Sequence, residues 1–166
     1  MPGFPLNQSG LRWLWLSFLI LSVDVFTKLW VVDFIADVPG SQVSLLPFFN
    51  ITYLRNYGAA FGLFSDQDKW QRWLLIVFPI LAIAFLGSLM RNLPAKEWRT
   101  NIIYALVAGG AAGNAFDRAV HGFVIDYIDF FLFGYHYPAF NVADSAIFIG
   151  ATMLLLNDLA SNRRRV

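Results

Sequence analysis

Hydrophobic residues in this chain are gathered into four long segments separated by more polar stretches. The segments cover residues 11–32, 70–90, 101–116 and 140–159. A helix needs about 20 mainly apolar residues to cross a bilayer core about 30 Å thick. The third segment is shorter and rich in glycine and alanine. The pattern predicts an all-α membrane protein with four transmembrane helices, formed by residues 1–166 as a single domain.

Small residues cluster within the third segment, in the run from Ala108 to Gly113. Gly109 and Gly113 are four residues apart, and small residues at this spacing let a neighbouring helix approach closely. We expect this helix to contact another one at the two glycines.

Basic residues indicate the orientation of the helices. With an even number of spans both termini lie on one side, and lysine and arginine favour the cytoplasm. The terminal side carries most of the basic residues, namely Arg12, Arg91, Lys96, Arg99 and residues 163–165. Both termini are therefore predicted to be cytoplasmic. No small-residue cleavage site follows the first segment, so we expect that helix to be retained.

The two connections on the other side of the membrane have unusual sequences. Residues 33–69 contain short β-prone runs at 43–46 and 49–54, which predict a small sheet on the outer membrane surface. Residues 117–139 include the run 130–133, Phe-Phe-Leu-Phe, which is too apolar for a free loop. Aromatic rings favour the membrane interface, where we expect this connection to lie.

Composition agrees with a membrane protein, since 58% of the residues are hydrophobic and only 14% are charged. The mean hydropathy is +0.57. The net charge of +1 gives no basic field for nucleic acid. The absence of cysteine excludes disulfides and thiolate metal ligands, and two histidines are too few for an all-histidine metal site.

Asp126 and Asp144 carry the strongest indication of chemistry, because carboxylates next to apolar helices are costly and mark functional sites. If the chain folds back so that they meet, the pair shares one proton and can activate water for attack on a carbonyl. The alternative is that these aspartates cap helices or pair with arginine. The residues alone leave both interpretations open.

Other polar residues have simpler interpretations. Asp24 and Lys28 have the spacing of an intrahelical ion pair, and Lys28 can also extend to the surface. Asn56 and Gly58 lie in a motif, residues 55–62, that forms either a tight turn or a substrate groove.

A second group of polar residues follows the third segment. Asn114, Asp117 and Arg118 form a predicted polar packing cluster. Asp129 is interpreted as a surface or supporting carboxylate. His121 and His136 are interpreted as interfacial residues rather than ligands.

Five blocks of this sequence, in order, resemble the bacterial lipoprotein signal peptidase family, also called signal peptidase II. They are residues 24–28 (DVFTK), 55–61 (RNYGAAF), 109–118 (GGAAGNAFDR), 122–127 (GFVIDY) and 140–145 (FNVADS). The resemblance covers nearly the whole chain. It implies four transmembrane helices, a small periplasmic β-cradle and a short interfacial helix.

The resemblance also implies an activity. The implied activity is that of an intramembrane aspartic endopeptidase of the bacterial inner membrane. Such an enzyme cleaves diacylglyceryl-modified prolipoproteins just before the lipid-bearing cysteine. The resemblance assigns the catalytic pair to Asp126 and Asp144, without a metal or cofactor. Membrane lipid and globomycin-type inhibitors are implied partners. Supporting or substrate-binding roles fall to Asp24, Lys28, Asn56, Gly58, Asn114, Asp117, Arg118 and Asn141, with Asp117 orienting Arg118.

The main alternative is a small proton-coupled transporter in which Asp24, Asp126 and Asp144 form a relay. Intramembrane carboxylates are common in such proteins. Transporters often contain repeated halves, however, and the sequence has none.

Overall fold

The computed structural model describes residues 4–35, 40–58 and 69–163, with side chains described as far as residue 160. Four long helices dominate it: α1 (Leu14–Ile35), α2 (Lys69–Arg91), α3 (Trp98–Val120) and α4 (Val142–Arg163). A 3-10 turn, Gly10–Trp13, leads into α1. The four strands are β1 (Gln42–Leu46), β2 (Phe49–Asn56), β3 (Val124–Leu132) and β4 (Tyr135–His136). They form one antiparallel sheet in the order β1-β2-β3-β4.

The helices agree in position with the four predicted segments. In α2 and α4, the stretches Trp70–Arg91 and Val142–Ala160 are long and apolar enough to cross a membrane. The other two helices have similar lengths, 22 residues in α1 and 23 in α3. Large apolar side chains such as Phe18, Phe78 and Phe148 are about 70% exposed, as expected for helices surrounded by lipid. The number of spans, four, stays a prediction.

Helix α3 lies among the other three helices, and its small residues allow close packing. A Cβ atom on Gly109 would come within 2.8 Å of the Ser17 carbonyl oxygen on α1. A Cβ atom on Gly110 would overlap the carbonyl oxygen of Ala143 on α4. The predicted close contacts of this glycine-rich helix are therefore confirmed, and they extend to two neighbouring helices.

The sheet is larger than the sequence predicted. Strands β1 and β2 confirm the predicted β-prone runs. The second connection was expected to begin at Asp117 and to lie in the membrane interface, and its boundary was wrong. Helix α3 continues to Val120, so Asp117 and Arg118 belong to its last turns. Within the connection, Val124–Leu132 forms strand β3, which pairs with β2.

One face of the sheet packs on α1, where Val31 and Ile35 contact a cluster of apolar strand residues: Ile51, Tyr53, Ile125, Tyr127 and Ile128. Two consecutive residues of β3, Tyr127 and Ile128, thus face the same side. Both of their N–H groups donate to the carbonyl oxygen of Phe140, at 3.1 and 2.8 Å. This is the pattern of a β-bulge, which interrupts the usual alternation of side chains.

Because of this bulge, Asp126 and Asp129 lie on the same side of the sheet, the side that faces away from α1. Their partners on β2 show this directly. Asn56 donates to Asp126 at 2.9 Å and Asn50 donates to Asp129 at 2.8 Å. The pairing of β2 with β3 shifts by one residue between Ile51 and Leu54. Ile51 and Tyr53 nevertheless both face α1, so β2 keeps its alternation and Asn50 and Asn56 share the other face. We call this side of the sheet the polar face.

The resemblance also implied a short interfacial helix. Within the described ranges the one short helical element is the 3-10 turn before α1. The end of the motif at 55–62, from residue 59 onward, lies outside the described residues.

Candidate active site

Asp126 and Asp144 come from different elements and both contact Asn141. Asp126 lies on β3, and Asp144 lies in the first turn of α4. The Asn141 side-chain amide donates to Asp126 Oδ1 at 2.7 Å. Its backbone N–H donates to Asp144 Oδ2 at 3.3 Å, and the Asp144 N–H donates back to Asn141 Oδ1 at 2.8 Å. The structure therefore brings the two carboxyls, which are distant in sequence, to one residue.

The reciprocal bonds between Asn141 and Asp144 form a capping box at the start of α4. The helix N-terminus also favours a negative charge at this position. Asp144 thus caps a helix, as the simpler interpretation predicted. It nevertheless lies beside a second carboxyl, so capping does not exclude a chemical role.

Asp126 is only 4% exposed. Burial raises the pKa of its carboxyl to about 7, and the negative charge of Asp144 adds to this effect. Hydrogen bonds from Asn56 and Asn141 and the charge of Lys28 act in the opposite direction. A carboxyl with a pKa near neutral pH can both hold and release a proton there, which suits a group that takes part in proton transfer.

Asn114 on α3 supports the pair from the helical side. Its side-chain amide donates to Asp144 Oδ1 at 2.7 Å. Its oxygen accepts the side-chain amide of Asn141 at 3.3 Å. Three asparagines therefore surround the two carboxyls, with Asn56 on β2, Asn114 on α3 and Asn141 before α4.

Arg118 lies in the same helix as Asn114, one turn later. Its Nη2 donates to the carbonyl oxygen of Gly58 at 2.6 Å. The Gly58 N–H in turn donates to Asn56 Oδ1 at 3.1 Å. Arg118 also interacts electrostatically with Asp126 and Asp144. Its Nε is buried and has no hydrogen-bond partner among the described residues.

Lys28 forms a second, fully buried charge cluster beside the pair. Its Nζ is 2.7 Å from Asp24 Oδ2 and 2.9 Å from Asp117 Oδ2. The predicted ion pair with Asp24 is confirmed. The expectation that Lys28 extends to the surface is wrong, because this residue is 1% exposed. Among the described residues, Asp117 pairs with Lys28 rather than holding Arg118 by a direct bond.

Asp24 and Asp117 each connect the cluster to a neighbouring element. Asp24 Oδ1 accepts the N–H of Ala143 at 2.8 Å, in the first turn of α4. Asp117 Oδ2 accepts the N–H of Ile125 at 3.0 Å, on the strand residue before Asp126. The cluster thus fixes the two backbone segments that carry the carboxyl pair.

Sequence reasoning missed a second polar cluster on the polar face. Asp129 is 4% exposed, so it is not a surface residue. It accepts a hydrogen bond from Asn50 and contacts Nδ1 of His136 on β4 at 2.8 Å. His136 was interpreted as an interfacial residue. Asp129 and His136 lie on either side of a Phe-Gly turn in the sequence. This spacing could have indicated that the two residues face each other across a hairpin.

No group of three or more histidine or acidic side chains in the described ranges is arranged to hold a metal ion.

The fold and this site define a class: a helical membrane protein with a small antiparallel sheet and a pair of carboxyls where the sheet meets the helices. A family model described as signal peptidase (SPase) II matches residues 16–160. A lipoprotein signal peptidase of Vibrio cholerae serotype O1 is 50% identical over 158 residues, which is 95% of this chain and 92% of the relative. One of Vibrio campbellii is 52% identical over 152 residues, with 92% and 90% covered. The chain belongs to the signal peptidase II family.

Two solved structures share the fold. A bacterial membrane enzyme determined by the in meso method at 2.3 Å resolution superposes with a TM-score of 0.80. It is 27% identical, and the match covers 93% of this chain and 92% of that one. A second bacterial membrane enzyme, solved at 1.9 Å, gives a TM-score of 0.73 at 29% identity, with 89% and 92% covered.

Proposed function

We propose that this protein removes signal peptides from diacylglyceryl-modified prolipoproteins, by aspartic endopeptidase chemistry that uses Asp126 and Asp144. The observation that carries the proposal is the shared contact of both carboxyls with Asn141, together with the raised pKa of Asp126. Family membership and the names of the relatives support the substrate class. The cut falls on the amino side of the lipid-bearing cysteine.

In this mechanism the pair holds one proton. The ionised member takes a proton from a water molecule, and the resulting hydroxide attacks the carbonyl carbon before the cysteine. The protonated member donates a hydrogen bond to the carbonyl oxygen, which carries the developing negative charge. When the tetrahedral intermediate collapses, the carbon–nitrogen bond breaks and the cysteine nitrogen receives a proton from the pair. The products are a carboxyl-terminated signal peptide and a lipoprotein with a free amino terminus.

The neighbours of the pair have separate roles in this proposal. Asn56, Asn114 and Asn141 fix the orientation of the carboxyls, and Arg118 offers its Nε to a substrate carbonyl. Lys28, Asp24 and Asp117 hold the surrounding backbone. The carbonyl oxygen of Gly58 accepts a hydrogen bond from Arg118, and Gly58 has no side chain to obstruct a peptide.

The setting of the reaction is also part of the proposal. We place the protein in the bacterial inner membrane with four spans, both termini in the cytoplasm and the carboxyl pair at the periplasmic face. A substrate anchored by its acyl chains then brings its cleavage site to the boundary where the sheet meets the helices. Globomycin-type inhibitors are expected to occupy the same site.

The test uses purified protein, a diacylglyceryl prolipoprotein and mass spectrometry of the products. Asp126→Asn and Asp144→Asn should each lose nearly all cleavage, because either change removes the exchangeable carboxyl proton. The double variant should be scarcely slower than either single one, since residues that share one step are not additive. An Asp33→Asn variant, which changes an exposed carboxylate on α1, serves as the control.

Substantial cleavage by correctly folded Asp126→Asn or Asp144→Asn would refute the catalytic assignment. The transporter alternative would then become the better explanation of the aspartates. Its relay requires Asp24 to exchange protons, whereas both Asp24 oxygens are engaged, by Ala143 and by Lys28.

A further inference from the structure

The polar face of the sheet continues beyond the candidate active site into a second polar region. There Ser44 pairs in register with Asn50, and Asn50 with Asp129. His136 on β4 contacts Asp129 from the outer edge of the sheet. A cavity of about 540 Å³ lies here, lined by strand and turn residues that include Gln42, Ser44, Asn50 and His136. We call it the strand groove.

We infer that the strand groove binds the extended polypeptide that follows the cleaved bond, the part of the prolipoprotein that becomes the mature protein. The inference rests on the proposed function and extends it to the substrate residues beyond the cysteine. Its basis is the position of the groove on the same face of the sheet as Asp126.

The bulge at Tyr127–Ile128 is what makes this position possible. In a regular strand, Asp126 and Asp129 would point to opposite faces, because side chains alternate. The bulge places both on the polar face, where Asn56 and Asn50 of β2 contact them. A chain bound at Asp126 can therefore continue along the sheet without crossing it.

The spacing sets which substrate residues reach the groove. Asp126 pairs with Leu54 and Asp129 pairs with Asn50, so the two carboxylates are separated by three residues of β3 and four of β2. At about 3.3 Å per residue the separation is roughly 10–13 Å. An extended peptide covers this distance in about three or four residues. The groove should therefore contact the third and fourth residues after the cleaved bond.

The residues that line the strand groove favour the part of the substrate that follows the cleaved bond over the signal peptide. An apolar signal peptide is best accommodated by the apolar helices, whereas no helix residue is among those that line the groove. Its lining combines the polar side chains of Gln42, Ser44, Asn50 and His136 with the apolar side chains of Leu45, Leu46, Pro47 and Phe131. The polar groups suit a peptide backbone with small polar side chains.

The inference can be tested with two synthetic diacylglyceryl prolipopeptides that share one signal sequence. One ends at the residue after the cysteine, and the other continues for six small polar residues. We expect the long peptide to have a KM about tenfold lower, which corresponds to about 1.4 kcal/mol, with similar kcat. Ser44→Trp fills the groove from an exposed position of β1 and should raise the KM of the long peptide to that of the short one.

Two further variants make the result specific. Gln42→Trp blocks the same groove from another exposed position and should act in the same way, even if Ser44→Trp disturbs folding. Ser22→Trp adds the same bulk to an exposed position of α1, away from the sheet, and should preserve the difference between the peptides.

Equal KM values for the two peptides with the unmodified protein would overturn the inference. So would a length effect that survives both groove variants. In either case the peptides would still be cleaved, and the proposed function would stand. Failure to cleave either peptide would instead refute the proposed function, and the inference with it.

Discussion

The burial of Asp126 should make the stability of this protein depend on pH in a way that Asp126→Asn removes. The pKa of this carboxyl rises from 3.8 to about 7, because burial and the charge of Asp144 disfavour its ionised form. The folded protein therefore holds a proton that the unfolded chain has lost between these pH values. The free energy of unfolding falls as pH rises through this window. At about 1.36 kcal/mol per unit, the loss from Asp126 by pH 8 is on the order of 4 kcal/mol.

Asparagine has no proton to lose, so Asp126→Asn should avoid this loss. The variant also changes hydrogen bonds with Asn56 and Asn141, but that contribution is constant with pH. The pH-dependent part is therefore the quantity to measure. The melting temperature of the variant minus that of the unmodified protein, in one detergent, should rise from pH 4 to pH 8. About 2–4 °C is expected per kcal/mol for a chain of this size.

Asp33→Asn is the matched control, because Asp33 is an exposed carboxylate on the same protein. It should show a much smaller change over the same pH range. If the melting temperature difference for Asp126→Asn is constant from pH 4 to pH 8, Asp126 is not held with a raised pKa. The account of the carboxyl pair as a proton-sharing unit would then lose its electrostatic basis.

Two further predictions concern packing and orientation. Gly113→Leu should lower thermal stability by more than the roughly 1–3 kcal/mol typical of added core bulk. The reason is that a Cβ atom at this position would lie 2.5 Å from Asp24 Oδ2 and 3.1 Å from the Ala143 side chain. An unchanged melting temperature in detergent would show that the helices have room for the larger side chain. Single cysteines at Ser41 and Ser161 should differ in intact cells, with a membrane-impermeant thiol reagent labelling only the first. The reverse labelling pattern would contradict the predicted orientation.

The helical part of this fold could be predicted well from the sequence. Long apolar runs specify helices by composition and length alone, so each helix ends within a few residues of its predicted segment. The contacts of Gly109 were also predictable, since close helix packing requires small residues at that spacing. The pair of Asp24 and Lys28 followed from the geometry of a single helix. These features depend on local sequence.

Strand β3 was not predicted, and its bulge explains why. A strand with one buried face is recognised by strict alternation of apolar and polar residues. Here Tyr127 and Ile128 are consecutive, and the buried Tyr127 and the partly buried Ile128 both pack on the apolar cluster with α1, so the alternation fails in the middle of the strand. The aromatic residues that follow then resembled a membrane-interface segment. The bulge also hid the relation between Asp126 and Asp129, since a regular strand separates them.

The partners within the site depend on contacts that the sequence does not reveal. Lys28 was paired with Asp24 because they are one helical turn apart, but Asp117 comes to it from another helix. Asn141 links Asp126 to Asp144 only because the connection folds back as a strand beside the start of α4. Long-range contacts of this kind follow from the tertiary arrangement.

The charges around the site support a shared proton without reference to any relative. Two cations, Lys28 and Arg118, stand beside four carboxyl groups: Asp24, Asp117, Asp126 and Asp144. Lys28 forms ion pairs with Asp24 and Asp117, whose carboxylate oxygens both lie within 3 Å of its Nζ. Arg118 interacts with both Asp126 and Asp144, and the charge of Lys28 also acts on Asp126, so among the described residues two positive charges face four carboxyl groups. A second negative charge in this buried place would be uncompensated, which is costly, so the pair is most stable when it keeps one proton. The arrangement that stabilises the fold therefore also leaves the carboxyl pair in the state that acid–base catalysis requires.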